Sequence, residues 1–188
     1  MFDVKRLLKV NKITLGIILL LILLLLMPFA YSKLFSSNES ETKLETAFFL
    51  LKADYYSKEI KLEELEPRDT PYIYKFKVAN NDGENRLETK MEYNLKVVTT
   101  TNLPLTYKLY KNNNTENIII NDTIEQDEDG TYFRTLEIDP ETFGYEQNEE
   151  NIYELSVLFP KKYDNFEYQD IVEGIFINID AKQIISET

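Results

Sequence analysis

The stretch that decides the fold is residues 89–99, TKMEYNLKVVT, in which apolar and polar side chains alternate. Its apolar residues are Met91, Tyr93, Leu95 and Val97. Successive side chains of an extended chain point to opposite faces, so this period of two places every apolar residue on one face. The pattern predicts a β-strand with one face in a core. Residues 72–78, YIYKFKV, alternate in the same way and predict another strand.

Six further strands are predicted on either side, separated by residues that favour turns. They are residues 47–57, 105–110, 118–124, 131–138, 152–160 and 171–184. About eight strands at this spacing, without intervening helices, indicate an all-β domain over residues 47–184, an antiparallel β-sandwich with a jelly-roll-like order. Residues 185–188 are interpreted as a tail. The side chains expected in the core are Phe76, Val78, Tyr93, Leu95, Val97, Leu109, Leu155, Val157, Ile177 and Ile179.

An uncharged segment precedes this domain at residues 13–31, ITLGIILLLILLLLMPFAY. As a helix it would be about 28 Å long, and a bilayer core is about 30 Å thick. Residues 1–12 carry four basic side chains and one acidic one, which favours a cytoplasmic position for this flank. We therefore expect one N-terminal helix in the cytoplasmic membrane and the remainder of the chain outside.

Two fates of this helix remain open. The first is a retained single-pass anchor, with residues 32–46 as a polar tether to the outer domain. The second is a signal peptide, because Ala30-Tyr31-Ser32 has the small-x-small pattern of a cleavage site. Cleavage at Ser32 would release the domain to the cell surface or matrix.

The composition restricts the function. Residues 33–188 contain 17 basic and 32 acidic side chains, a net charge of −15. Nucleic acid is not an expected partner, because it requires a basic surface. The chain has no Cys and no His, so zinc hydrolases and catalytic triads are not expected. We expect a protein that is not an enzyme and needs no cofactor.

One acidic turn is a weak candidate for calcium. Asp127-Glu128-Asp129-Gly130 gathers carboxylates, the ligands that calcium prefers. An EF-hand would need Glu six residues after its Gly, where this chain has Leu136. The turn is therefore interpreted as an exposed hairpin turn in which Asp127 and Asp129 are weak calcium candidates.

Three groups of motifs occur in the order seen in one family of exported proteins. They are LEPRD (65–69) followed by YKFKVAN (74–80), YNLKV (93–97) followed by NLPLTYKLY (102–110), and YELSVLFP (153–160) followed by Asp170 and IDAKQ (179–183). This order resembles the TasA/camelysin-like proteins of Gram-positive bacteria. Arg68 stands where that family has Gly, and Phe159 stands where it has Trp. The resemblance implies a jelly-roll domain that is secreted and assembles into biofilm matrix fibres or decorates the cell surface.

Two functions from different classes follow as expectations. The first is a cell-surface or matrix structural protein that acts by assembly or adhesion, with copies of itself or related surface proteins as partners. Its candidate exchange strand is Ala47, Phe48, Phe49, Leu50 and Leu51, which would complete a neighbour's sheet by β-strand addition. The same segment could instead be the first strand of its own domain. The second function is a monomeric membrane-anchored accessory or ligand-binding domain of a surface or secretion system.

Overall fold

The computed structural model describes residues 46–62 and 65–184. Within these residues the chain forms ten β-strands and two single-turn 3₁₀ helices. The strands are β1 (Thr46–Phe49), β2 (Asp54–Ile60), β3 (Tyr72–Ala79), β4 (Met91–Thr100), β5 (Thr106–Lys111), β6 (Asn121–Gln126), β7 (Tyr132–Glu137), β8 (Glu141–Phe143), β9 (Glu150–Leu158) and β10 (Ile175–Gln183). The 3₁₀ helices are Lys161–Tyr163 and Phe166–Tyr168.

The strands form two sheets. The first has the order β1-β3-β9-β5, and the second has the order β2-β10-β4-β7-β6 with β8 also paired to β4. Among the described strands the one parallel pair is β1 with β3, and all other pairs are antiparallel. The prediction of an all-β, sandwich-like domain is confirmed.

One continuous core contains side chains from both sheets. All ten side chains expected in it are buried. The aromatic rings are central: Phe76 stacks on Tyr153 with ring centres 5.2 Å apart, and Phe143 stacks on Tyr93 at 5.1 Å. Large buried rings carry much of the apolar area that stabilises such a domain, which has no disulfide to help it.

The single strand predicted at residues 47–57 is wrong, because this stretch forms two strands in different sheets. β1 belongs to the first sheet and β2 to the second. Residues 50–53 make the crossing, in which Leu50 is fully buried while Lys52 and Ala53 are exposed. The apolar run AFFLL has no polar residue to mark a period, so alternation could not locate the break.

Other elements also differ from the prediction. β8 lies between the predicted strands 131–138 and 152–160, where no strand is expected, and it holds the buried Phe143 against Tyr93. β6 begins at Asn121 rather than Ile118, and β10 begins at Ile175 rather than Ile171. A strand of three residues is too short to show a period.

Several predictions concern residues that the structure does not describe. They are the membrane or signal helix at residues 13–31, the cytoplasmic flank at 1–12, the cleavage point at Ser32, the tail at 185–188, and the tether at 32–46 apart from Thr46, which begins β1. Among residues 46–62 and 65–184, no helix has the length and apolar character needed to cross a membrane.

Candidate functional site

The first candidate site is the β1–β2 edge, defined as strands β1 and β2 with residues 50–53 that join them. β1 is one of the two border strands of the first sheet, and β2 is one of the two border strands of the second. An open cavity of about 550 Å³ lies between them and is lined by residues 46–48 and 55–58. The sandwich is therefore open along this side, with a short strand at its border.

β1 is attached to its own domain through one neighbouring strand. Among the described strands it pairs with β3 alone, from Thr46 opposite Phe76 to Phe49 opposite Ala79. The backbone N–H of Leu50 extends this pairing by donating to the carbonyl of Ala79 at 2.8 Å. An edge strand of four residues offers little backbone pairing, so its side chains must supply most of its attachment.

Two apolar side chains supply that attachment. Phe48 is 6% exposed and meets the Phe76 ring edge to face, with ring centres 6.1 Å apart. Leu50 is completely buried. Phe49 points away from the core and is 37% exposed, with the Lys77 ammonium 5.9 Å from its ring centre. The segment Ala47–Leu51 thus fills the core of its own domain through alternate positions.

The opposite border of the first sheet, strand β5, is capped. The Asn117 side chain accepts a hydrogen bond from the Leu109 N–H at 2.9 Å, and the Ile118 N–H donates to the Leu109 carbonyl at 2.9 Å. Arg134 donates to the Leu105 carbonyl at 3.0 Å. Edge strands of natural proteins are commonly protected from pairing by such covers. Because β5 is covered, β1 is the less protected border of the first sheet among the described residues.

A carboxylate holds the arginine of this cap in place. Asp122 on β6 accepts two hydrogen bonds from Arg134, at 2.8 and 2.7 Å. This bidentate contact lowers the pKa of Asp122 below its usual value. The guanidinium also lies over the Tyr107 ring, 5.3 Å from its centre.

The acidic turn proposed for calcium connects β6 and β7. The Asp127 carboxylate accepts the Glu128 N–H at 2.8 Å, and the Asp129 carboxylate accepts the Thr131 N–H at 2.9 Å. The contact with Thr131 lowers the pKa of Asp129. In the part of the chain that the structure describes, no three Asp, Glu, His or Cys side chains are grouped to hold a metal ion. The calcium site stays a prediction.

The second candidate site is the loop cleft, a cavity of about 800 Å³ between the β2–β3 and β9–β10 connections. Residues 65–67 form one wall, and Phe159 with residues 164–166 and 168–171 forms the other. The Arg68 N–H donates to the Phe159 carbonyl at 2.8 Å and joins the two connections at the base. The Tyr72 hydroxyl accepts the Glu66 N–H at 2.8 Å and fixes the first wall.

Sequence reasoning missed the loop cleft. The residues between the predicted strands 152–160 and 171–184 carry no predicted element, and Ile171 and Val172 fall within the second of these strands. Both lie instead in the exposed connection before β10, as does Phe166. The signal was present in the sequence, since three apolar residues stand among the acidic residues of this segment.

Comparisons of the chain with protein-family models, with curated proteins and with solved structures found no match.

Proposed function

We propose that this chain is a non-enzymatic, exported cell-surface or matrix protein that acts by assembly, and that β1 is the strand exchanged between copies. The observation that carries the proposal is the attachment of β1. It is a border strand of four residues with one neighbouring strand, and two buried side chains, Phe48 and Leu50, anchor it.

Exchange requires that a neighbour's β1 make the contacts that the domain's own β1 makes. The chain is identical in every copy, so the same pairing with β3 and the same two anchors are available between copies. Residues 51–53 are the natural hinge, because they join β1 to β2 without belonging to either strand. A head-to-tail exchange of this kind does not close on itself, and it propagates into a fibre.

The sequence motifs support the same function. We infer membership of the TasA/camelysin-like family and a jelly-roll topology. Seven of the nine consecutive pairs of described strands lie in different sheets, and the exceptions are β6 with β7, which form a hairpin, and β7 with β8. Repeated crossing between two sheets is typical of a jelly roll. Export is supported by the apolar segment at residues 13–31, and cleavage at Ser32 would free the chain ahead of β1.

The experiment compares residues 33–188 with residues 54–188, which lack β1. Electron microscopy and light scattering over a concentration series follow assembly. We expect fibres from the longer protein only. A synthetic peptide of residues 44–53 should bind the shorter protein and occupy the position of β1, as shown by a gain in its thermal stability.

Two results would overturn the proposal. One is a longer protein that stays monomeric at high concentration and mildly acidic pH, where its net charge is smaller. The other is a shorter protein that assembles equally well, because β1 would then play no part in assembly.

A second candidate function is a monomeric, membrane-anchored accessory or ligand-binding domain. The observation that favours it is the loop cleft, whose volume is within the range of ligand sites. A monomeric protein with a measurable ligand at this cleft would support it in place of assembly.

A further inference from the structure

We infer that the loop cleft binds an extended, positively charged peptide segment of another protein, one that carries apolar side chains between its Lys or Arg residues. The inference does not depend on strand exchange, and it gives a ligand class to the second candidate function. Three observations carry it: exposed apolar side chains at the rim, carboxylates without basic neighbours in the lining, and a fixed cleft wall.

The rim exposes apolar side chains that contribute little to the core. Phe166 is 87% exposed and Ile171 is 37% exposed, and both line the cavity. Val172, which follows Ile171 in the chain, is 79% exposed. Single exposed apolar residues are ordinary, but a group of them beside a cavity marks a surface that gains from being covered. Aromatic side chains in particular are enriched at interfaces, and an exposed Phe ring can also receive a cation on its face.

The charged side chains that line the loop cleft indicate the kind of partner that would bind there. Glu66, Asp164 and Asp170 line the loop cleft, and no Lys or Arg among the described residues lines it. The basic side chains next to the lining have other partners. The Arg68 guanidinium donates to the Thr70 carbonyl at 2.8 Å and lies 3.1 Å from the Tyr72 ring centre. Lys161 approaches Asp69 at 3.9 Å, and the Lys162 ammonium lies 4.8 Å from the Tyr163 ring centre. A partner with basic side chains is therefore complementary. A second copy is not, since residues 33–188 carry a net charge of −15.

The wall that carries Phe166 is held in place before any partner arrives. The Tyr168 ring packs edge to face on Phe159 and on Tyr163, with ring centres 6.0 and 5.7 Å apart. Asn165 accepts the Glu167 N–H at 3.0 Å. Asn102 donates to the Val172 carbonyl at 2.8 Å. The exposed side chains of this wall are therefore held in one arrangement, and this lowers the entropy cost of binding.

The experiment uses the full-length chain in a nonionic detergent. The probe is a fluorescein-labelled heptapeptide of alternating lysine and leucine, followed by fluorescence anisotropy. Alternating glutamate and leucine is the charge control, and alternating lysine and serine is the apolar control. We expect saturable binding of the lysine–leucine peptide that weakens with added salt. The lysine–serine peptide should bind at least about tenfold more weakly, and the glutamate–leucine peptide should not bind.

Two variants of the loop cleft are paired with matched controls elsewhere on the surface. Phe166→Ser with Ile171→Ser removes the apolar rim, and Ile120→Ser with Ile124→Ser removes two exposed isoleucines in and just before β6. Glu66→Gln, Asp164→Asn and Asp170→Asn remove the carboxylates. Asn tolerates the left-handed backbone of Asp170, at φ 60°. Glu125→Gln, Asp127→Asn and Glu128→Gln remove equal charge from the acidic turn.

Each variant of the loop cleft should weaken binding by about tenfold or more, while both controls leave it within about twofold. Equal weakening by the acidic-turn control would show general attraction to a negative surface and would overturn the inference. So would self-association that the rim variant abolishes, because the occupant would then be a second copy. Strand exchange is tested separately, by fibre formation. Peptide binding at the loop cleft and strand exchange can therefore be disproved independently.

Discussion

The Tyr93 hydroxyl lies 2.8 Å from the Tyr153 hydroxyl, and this hydrogen bond joins the two sheets inside the core. Tyr93 belongs to β4 of the second sheet, and Tyr153 belongs to β9 of the first. Asn151 donates a further hydrogen bond to Tyr93 at 2.8 Å. Burial raises the pKa of both hydroxyls, so both stay neutral at physiological pH. The two sheets are thus held in a specific relation by polar atoms within an apolar core.

Replacing one tyrosine of this pair should lower stability, because it removes one hydrogen bond from a buried hydroxyl of the partner. We expect Tyr153→Phe to lower the free energy of unfolding by about 1–2 kcal/mol. The double variant with Tyr93→Phe should lose less than the sum of the two single variants, by about 1 kcal/mol. Urea unfolding measures the free energy of unfolding for four forms of residues 33–188: the unaltered protein, the two single variants and the double variant. Simple additivity would show that the two hydroxyls do not interact.

Calcium should bind the β6–β7 turn only weakly. The Asp127 and Asp129 carboxylates already accept N–H groups of their own turn, and a cation must compete with these contacts. We expect a dissociation constant no tighter than about 10⁻⁴ M in calorimetry. Asp127→Asn with Asp129→Asn should abolish whatever binding is seen. Submicromolar affinity that this double variant removes would contradict the expectation.

Because of Glu173, the domain should be more stable at mildly acidic pH than at higher pH. Its carboxylate accepts hydrogen bonds from Thr99 and from the Leu103 N–H, at 2.5 and 2.8 Å, but burial still raises its pKa. A raised pKa in the folded state means that the stability from this group is present below its unfolded pKa of about 4.3. It is lost as the pH rises through the folded value.

Glu173→Gln removes the group that titrates. The test compares the melting temperatures of this variant and of the unaltered protein across pH 4 to 8. The melting temperature of the unaltered protein should fall more steeply with rising pH than that of the variant. Glu167→Gln removes a nearby exposed carboxylate and serves as the control for the change in net charge. If both variants change the slope equally, the effect belongs to net charge and not to the buried carboxylate.

Sequence reasoning located the core correctly because alternation fixes which face of a strand is buried. Phe76, Leu95, Val157 and Ile177 each stand in a segment with a clear period of two, and each is buried. Alternation does not state which strands pair. The parallel pairing of β1 with β3, and the division of residues 47–57 between two sheets, depend on contacts distant in sequence.

The candidate sites were predictable to different degrees. The segment Ala47–Leu51 was selected for its apolar character, and the structure places it at a sheet border, where exchange would require it to be. The loop cleft was not predictable, because Pro67 and Phe166 come from connections that only the folded chain brings together. Their exposure depends on tertiary structure, which no local pattern encodes.

Arg134 should protect the β5 border from pairing with other chains. Arg134→Leu with Asp122→Asn removes the hydrogen bond to the Leu105 carbonyl and replaces two compensating charges with neutral side chains. We expect faster, less ordered aggregation of residues 33–188 in light scattering, because an uncovered edge strand invites pairing. Lys96→Leu with Glu137→Gln breaks a neighbouring surface ion pair within the sheet and is the matched control. Equal aggregation of the two variants would count against a protective role.

Phe48 and Phe49 give the sharpest test of strand exchange, because neighbouring residues of the same type face opposite ways. Phe48→Ser should lower the free energy of unfolding by about 3 kcal/mol, as expected for a truncated buried Phe. Phe49→Ser should change it by less than about 1 kcal/mol, because that ring is partly exposed.

The Phe48 variant should also be the more impaired of the two in assembly, since an exchanged β1 places Phe48 in the neighbour's core. Electron microscopy should show fibres from the Phe49 variant and none from the Phe48 variant. Adding the unaltered peptide of residues 44–53 to the Phe48 variant gives a further test, because this variant still has the groove that accepts β1. The peptide should bind the variant and raise its melting temperature. Fibres from the Phe48 variant at the normal rate would exclude β1 as the exchanged strand and leave the loop cleft as the basis of function.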